Sequence, residues 1–455
     1  MDVLIQVAQF LLSLTLLVFL HELGHFIPAK LFKVRVSKFY VFFDFLFPLP
    51  KVLNFSLFKK KVGETEYGIG WFPLGGYVQI DGMVDESMDV EKLKEPAQPW
   101  EFRSKPAWQR LIIMVGGVTV NLVLAMIIYA GILTIYGKQF LPMKNATNGV
   151  MVTDSLGYDL GLKDGDKILS INKKPIEDFN SFTRNLLLYD AQTIEIVRND
   201  KDSVLEVPEN FVSQVIAKKS KDKSLELIQP RVPVEVAKVV NGSNAAKAGL
   251  EEGDRIVGVN DQQTIFFDEM TYAFMNNKGK KVDLQIVRDG NNKVLPVQVD
   301  ENGKIGFAPD VNLQKYYEVT TIKYNFFSAI PAGVEMAFKT LDAYVRQFKL
   351  LFTGQVKAKD SLGGFATMAD AFEKQWDWLA FWNMTAIISI ILAFVNILPI
   401  PALDGGHVMF LVYEMIFRKP PPQKFMEYAQ MAGMIFLLGL MLYANGLDVF
   451  RKFFE

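Results

Sequence analysis

The stretch HELGH, residues 21–25, places two histidines four apart with a glutamate after the first. Positions i and i+4 share one face of a helix, so the His21 and His25 imidazoles can close on a single zinc ion. Glu22 does not ligate in such an arrangement. It projects beside the metal, where a carboxylate can take a proton from water. Catalytic zinc needs a third protein ligand and an open position. The chain has three histidines and no cysteine, which excludes thiolate sites, disulfides and cysteine nucleophiles. A second polar cluster, NILPIPALDGGH at 396–407, offers two candidates for the third ligand. Asp404 is the stronger, a hard carboxylate ending an otherwise charge-free run; His407 competes, three residues on. Pro399 and Pro401 deny regular helix there and open backbone carbonyls. Asn396 brings an amide that can polarise a substrate carbonyl, steady a substrate strand, or simply bond to another helix.

The elements that must position these residues are membrane spans. HELGH directly follows an uncharged apolar run, residues 3–20, which reads as a retained span because it has neither a basic leader nor a small-residue cleavage site. Further apolar stretches cover about 107–136, 379–398 and 427–447, each near the roughly 20 residues that cross a bilayer. An ionisable group deep in a span costs about 2.5–3.5 kcal/mol on insertion scales, so His21, Glu22 and His25 need a compensating partner there, and a metal supplies one. Lys30, Lys33, Arg35, Lys38, Lys51 and Lys59–Lys61 follow the first span, and Arg418, Lys419 and Lys424 lie between the third and fourth. These basic connections are expected in the cytoplasm, which puts the long middle and both termini outside; Arg451 and Lys452 pull weakly the other way. Both polar clusters then reach the same side of the membrane.

Residues 64–82, ETEYGIGWFPLGGYVQIDG, alternate like strands around Gly75 and Gly76 and suggest a β-hairpin at or dipping into the membrane face. Residues 84–106 are acidic and contain proline, which suggests a surface loop or short helices. The middle contains a repeat: GLKDGDKILSIN at 161–172 matches GLEEGDRIVGVN at 249–260, 88 residues later, each followed by a helix-like stretch. The pattern resembles tandem PDZ domains, which bind peptide termini by adding a strand to a sheet edge. Residues 318–352 read as an amphipathic helix broken near Pro331, lying on the outer membrane surface or against the repeats. The net charge of −1 argues against nucleic acid as a partner.

The expected fold is membrane α-helical, with four transmembrane helices, a membrane-associated β-hairpin or sheet and two extracytoplasmic PDZ domains of α+β type. The expected division is a first transmembrane helix with the zinc motif (1–33), a cytoplasm-facing β region and loop (34–106), the second transmembrane helix (107–136), two PDZ domains (140–228 and 229–315), an amphipathic helix and linker (318–378), the third transmembrane helix with its Asn-x-x-Pro-x-Pro-x-Leu-Asp-Gly motif (379–406) and the fourth (427–447).

Together HELGH at 21–25, PLGGYV at 73–78, FRSKPAWQR at 102–110, the tandem repeat and NILPIPALDGGH at 396–407 resemble the site-2 proteases, the intramembrane zinc metalloprotease family, and within it the bacterial RseP-like branch with two PDZ domains. The resemblance covers essentially the whole chain. It implies that His21, His25 and Asp404 hold Zn2+ and that Glu22 is the general base. It implies a single-span membrane substrate, trimmed beforehand by another protease and cut within its transmembrane helix, such as an anti-sigma factor or a remnant signal peptide. Gly75, Gly76, Tyr77 and Val78 correspond to a strand that clamps unwound substrate, and Asn396, Pro399 and Pro401 to a substrate-handling motif. The PDZ pair would screen out substrates with large external domains. The implied location is the bacterial cytoplasmic (inner) membrane, multi-pass, with the active site near the cytoplasmic face. Two stretches depart from the family pattern: VGGVTVN at 115–121 lacks the Ala-Gly-Pro of relatives while keeping Asn121, and SLGGFA at 361–366 has Phe365 where relatives often have proline. Both are expected to leave the metal site untouched. The competing readings are a membrane-anchored tandem-PDZ scaffold with non-catalytic zinc, which leaves Glu22 unexplained, and a metal transporter, which would need ionisable groups inside several spans.

Overall fold

The computed structural model describes residues 2–46, 52–73, 75–83, 96–221, 225–354 and 356–454. Pro48, Pro50, Lys51, Leu74 and most of the acidic loop, residues 84–95, lie outside the described residues. The chain forms two compact units, one of Met1–Gly137, Lys323–Phe348 and Leu362–Glu455, the other of Lys138–Ile322 and Lys349–Ser361.

In the first unit, four helices among the described residues are long and apolar enough to cross a membrane: Asp2–Leu31, Ala107–Tyr136, Trp378–Ile397 and Gln423–Phe454. The first runs unbroken through HELGH. Lipid tails are as apolar as leucine, so such helices gain from close packing of small residues rather than from leaving water. Gly24 and Gly116 supply that contact: a Cβ on Gly24 would sit 2.5 Å from the Gly116 carbonyl oxygen, and one on Gly116 would sit 2.0 Å from that of Gly24. The third span starts at an Asp377 cap whose carboxylate accepts the Ala380 N–H at 2.8 Å. It stops before Pro399, since the residue preceding a proline is pushed out of helical geometry. The chain then doubles back through Ala402, at φ +79°, into a short helix, Asp404–Phe417. Gly405 permits the turn, because a Cβ there would meet the Leu398 carbonyl at 2.1 Å. Arg110 of the second span bonds Glu414 of the short helix at 2.5 Å.

The β region is a four-stranded sheet in the order Ser56–Val62, Thr65–Gly70, Val36–Tyr40, Tyr77–Ile80. The hairpin expected around Gly75 and Gly76 does not form. Thr65–Gly70 pairs instead with Ser56–Val62, and Val36–Tyr40 lies between it and Tyr77–Ile80. Hydrophobic burial decides this arrangement: Val36, Phe39, Val78 and Ile80 share one core with Ala29, Ile113 and Met114 of the first two spans. The two glycines let the chain pass close to the preceding segment. A Cβ on Gly75 would strike the Phe43 ring at 2.6 Å, and one on Gly76 the Val41 carbonyl at 2.4 Å. Tyr77–Ile80 is the edge of the sheet.

The amphipathic segment also differs from expectation. Its first residues form a strand, Thr320–Ile322, paired with Lys138–Phe140. The helix starts at Phe326, where the Asn325 side chain accepts the Ser328 N–H at 2.9 Å. It passes through Pro331 without a break, because the proline lies near the N-terminus and deprives a single carbonyl of its helical partner. Gly333 and Ala337 are buried, and Gly333 lies against Ala130 of the second span rather than facing outward.

The second unit is built twice over on one plan. Lys201–Glu206, Thr193–Arg198, Lys167–Ile171 and Lys174–Pro175 form one four-stranded sheet; Asn291–Gln298, Lys281–Arg288, Arg255–Val259 and Gln262–Gln263 form the other. Each has its own apolar core with a helix packed on it, Phe182–Leu188 or Phe267–Asn276, and in the first repeat Phe211 and Val215 of the helix Phe211–Lys221 join that core. The repeated Gly-Asp has a structural meaning. Asp166 takes two bonds from Arg198, and Asp254 takes two from Arg288, all at 2.6–2.8 Å. The same arginines also bond the carbonyls of Gly161 and Gly249 at 2.6 and 2.7 Å. Each pair ties a turn to the central strand. Arg231, between the repeats, ion-pairs with Asp268 and Glu269 at 2.7 and 2.8 Å.

Burial pushes the Asp254 carboxyl up, but the Arg288 hydrogen bonds and the Glu251 N–H more than offset this and hold it below the ordinary range. The unfolded chain therefore binds that proton more tightly than the folded one. The stabilisation is complete above about pH 5 and is lost as pH falls further, through the unfolded and then the folded pKa. Asp254→Ala should cost about 1.5–3 kcal/mol by removing two charge-assisted hydrogen bonds, while Arg288 keeps Glu251 and the Gly249 carbonyl as partners. Hydrogen exchange on the full-length protein is expected to show this loss within residues 232–310, and to show the difference between variant and wild type shrinking in acid.

Candidate active site

HELGH lies inside the first span, and the helix sets the relation of its side chains. His21 and His25 fall on one face with their Nε2 atoms 3.3 Å apart. The turn after the third span brings Asp404 to them: its Oδ2 lies 3.2 Å from His21 Nε2 and 3.3 Å from His25 Nε2. These atoms form the one group of three or more potential metal donors among the described residues. Zinc bonded tetrahedrally at about 2.0–2.1 Å needs donor atoms about 3.3–3.4 Å apart, so this triangle matches one face of such a tetrahedron and leaves the fourth vertex open. Asp404 Oδ2 is buried without a hydrogen-bond partner, the condition of an atom shaped for a cation. Asp404 also opens its helix, where the exposed N–H groups favour a negative charge. The residues present fit zinc.

The second span supports this group from behind. His25 Nδ1 lies 2.8 Å from the Ile113 carbonyl, so Nδ1–H donates there and the Nε2 lone pair faces Asp404. The buried Asn121 side chain lies 3.2 Å from His21 Nδ1. Gly117 sits under both rings: a Cβ there would be 2.5 Å from His25 Nε2 and 2.6 Å from His21 Cε1. The departure at VGGVTVN, where Gly117 replaces the proline of relatives, therefore does touch the metal site, contrary to expectation, and a side chain at Gly117 would require both rings to shift.

Glu22 is buried beside the donor triangle and lines the cavities on both sides of it. One cavity, of about 330 Å³, is walled by His21, Glu22, His25, Asp404, Val78 and Ile80. The other, of about 430 Å³, adds Gly75, Gly76, Asn396 and Phe365, so the second family departure also reaches the site. Asn396 Nδ2 lies 3.4 Å from His21 Nε2. His407 lines the first cavity but stands outside the donor triangle, 3.2 Å from Gln430 of the fourth span. Tyr77 is not on either wall. It is buried, stacked on Tyr40 with ring centroids 5.4 Å apart, and donates its hydroxyl to Asp44 at 2.9 Å. Pro399 and Pro401 are likewise absent from the walls; Ala402 and Leu403, which sequence reasoning passed over, take that place. Also missed were Gly117 as a neighbour of the imidazoles and Ile113, whose contribution is a carbonyl that any residue could offer.

The backbone of the edge strand faces the site. Val41 donates its N–H to Gly68, so odd residues of the central strand turn toward Thr65–Gly70 and even ones toward Tyr77–Ile80. Tyr77 pairs with Tyr40 and Gln79 with Lys38, which turns the Val78 N–H and C=O outward. The Val78 amide interacts with the Glu22 carboxylate.

The sequence profile of Peptidase family M50 matches residues 9–440. The Escherichia coli K12 protein named regulator of sigma-E protease RseP is 28% identical over 466 residues, with 98% of both chains covered. Protease RseP of Yersinia pestis is 28% identical over 471 residues, covering 100% of this chain and 99% of its own. A candidate zinc metalloprotease of Vibrio cholerae is 25% identical over 469 residues, covering 97% and 98%.

Gly117→Ala tests the packing beneath the donors. The added methyl group must push the rings apart while the rest of the helix is unaffected. Metal analysis of the purified variant is expected to show zinc affinity lowered by roughly tenfold or more, the scale of support-shell losses, with helix content unchanged.

Proposed function

The chain belongs to peptidase family M50, the site-2 proteases, and is a zinc metalloprotease with membrane-spanning helices; from that premise we propose that it hydrolyses a peptide bond inside the transmembrane segment of a single-span membrane protein already trimmed by another protease. One observation carries this reading: two imidazoles and a carboxylate converge within a span, with the non-ligating Glu22 beside them and an open strand edge along the same cavity. The triangle of His21, His25 and Asp404 would hold Zn2+, which when bound supplies Lewis acidity toward a carbonyl and makes water a stronger acid. Glu22 takes the proton from the attacking water and returns it to the leaving nitrogen. The Asn396 amide donates to the peptide oxygen on which charge develops. A helical peptide bond is shielded by its own hydrogen bonds, so the substrate must unwind locally. The Val78 C=O, and its N–H once released from Glu22, offer replacement partners by strand addition, and Gly75 and Gly76 line the cavity that leads to that edge.

The two β repeats act as PDZ domains that limit the size of the substrate's outer portion or receive its new terminus. The basic connections support a multi-pass orientation in the bacterial inner membrane, with the repeats extracytoplasmic and the site near the cytoplasmic face. Relatives named as regulators of sigma-E support a signalling precursor, such as an anti-sigma factor, as the substrate; a remnant signal peptide has the same chemistry.

Glu22→Gln should retain stoichiometric zinc and lose about 10²–10⁴-fold in cleavage of a transmembrane peptide in proteoliposomes. His21→Phe should lose both zinc and cleavage. Wild-type turnover by Glu22→Gln would remove the base assignment.

A further inference from the structure

Asn121 is completely buried on the second span. Its side-chain nitrogen lies 3.2 Å from His21 Nδ1, while its Oδ1 has no hydrogen-bond partner. With the nitrogen in that place, the amide N–H donates to Nδ1. A neutral imidazole carries one proton, so that proton would sit on Nε2, the atom 3.2 Å from Asp404 Oδ2. The Nε2 lone pair would then be unavailable to a metal, and a buried carbonyl would stay unsatisfied. Turning the amide about its last bond exchanges oxygen and nitrogen and relieves both problems. Oδ1 then accepts from Nδ1–H, and Nε2 presents its lone pair toward His25 and Asp404. The His25 ring already works this way, with Nδ1 against the Ile113 carbonyl of the same span.

We propose that Asn121 is a positioning residue whose Oδ1 holds the Nδ1–H of His21 and so fixes the tautomer and ring orientation in which Nε2 serves as a metal donor. The proposal rests on the reading of His21, His25 and Asp404 as a zinc site. The second span thereby supplies the acceptor for both imidazoles, one from its backbone and one from a side chain. The Asn121 carbonyl, which accepts from Ser389 Oγ of the third span at 2.7 Å, helps keep the residue in place.

The test is zinc affinity of the full-length protein, measured by competition with a chromophoric chelator, on wild type, Asn121→Leu and Asn121→Asp. Leucine removes the acceptor, so affinity should fall about 10–100-fold. Aspartate retains an acceptor, so affinity should stay near or above that of wild type. A residue that merely packs helices would not separate leucine from aspartate in this direction. Nitrogen-15 spectra of histidine-labelled wild type need no variant at the position: His21, assigned by its loss in His21→Phe, should carry its proton on Nδ1 in zinc-free protein. Leucine binding zinc as tightly as wild type, or a His21 proton on Nε2, overturns the proposal while leaving the protease reading intact. Wild type that binds no zinc overturns both.

Discussion

Everything at this site depends on one constraint: three polar donors buried within a membrane protein must find a common partner. An imidazole or carboxylate at membrane depth is costly in isolation. His21, His25 and Asp404 escape that cost by converging to within 3.3 Å of one another from distant parts of the chain. Convergence at that scale demands backbones in near contact. Gly24, Gly116 and Gly117 provide it between the first two spans, and Gly405 provides it where the third span turns back. Each would carry its Cβ into a neighbouring atom, so the glycines are as much part of the site as the donors.

A second requirement follows from the substrate. Breaking helical hydrogen bonds in hydrocarbon leaves groups that cost several kcal/mol each unless satisfied. In the proposed reaction the open edge at Val78 would satisfy those groups, and the strand is held from its opposite face. Tyr77 stacks on Tyr40 and Phe43 and donates to Asp44, which also pairs with Lys38 at 3.5 Å. Tyr77 thus serves the edge by fixing it, while the adjacent residue presents the backbone groups.

Much of this was legible in the sequence, because the strongest signals are those with fixed spacing. HELGH fixes two donors on one helical face, and the charge-free run ending at Asp404 marks the third. Spans are equally plain, since length and absence of charge are one-dimensional properties. Strand order was not: Val36–Tyr40 inserts itself between two strands that alternate as convincingly as any hairpin, and only burial against Ile113 and Met114 selects that pairing. Pro331 was misread as a break because its distance from the helix start depends on the Asn325 cap. Gly117 and Ile113 were invisible for a different reason: one acts by lacking a side chain and the other through a backbone carbonyl, so neither residue type announces a role.

X-ray absorption at the zinc edge of the purified full-length protein addresses the donor triangle most directly. The account requires one zinc per chain, nitrogen and oxygen neighbours at about 2.0–2.1 Å, and more distant scattering from two imidazole rings. A spectrum with a single imidazole, or with one unchanged after Asp404→Ala, would contradict it.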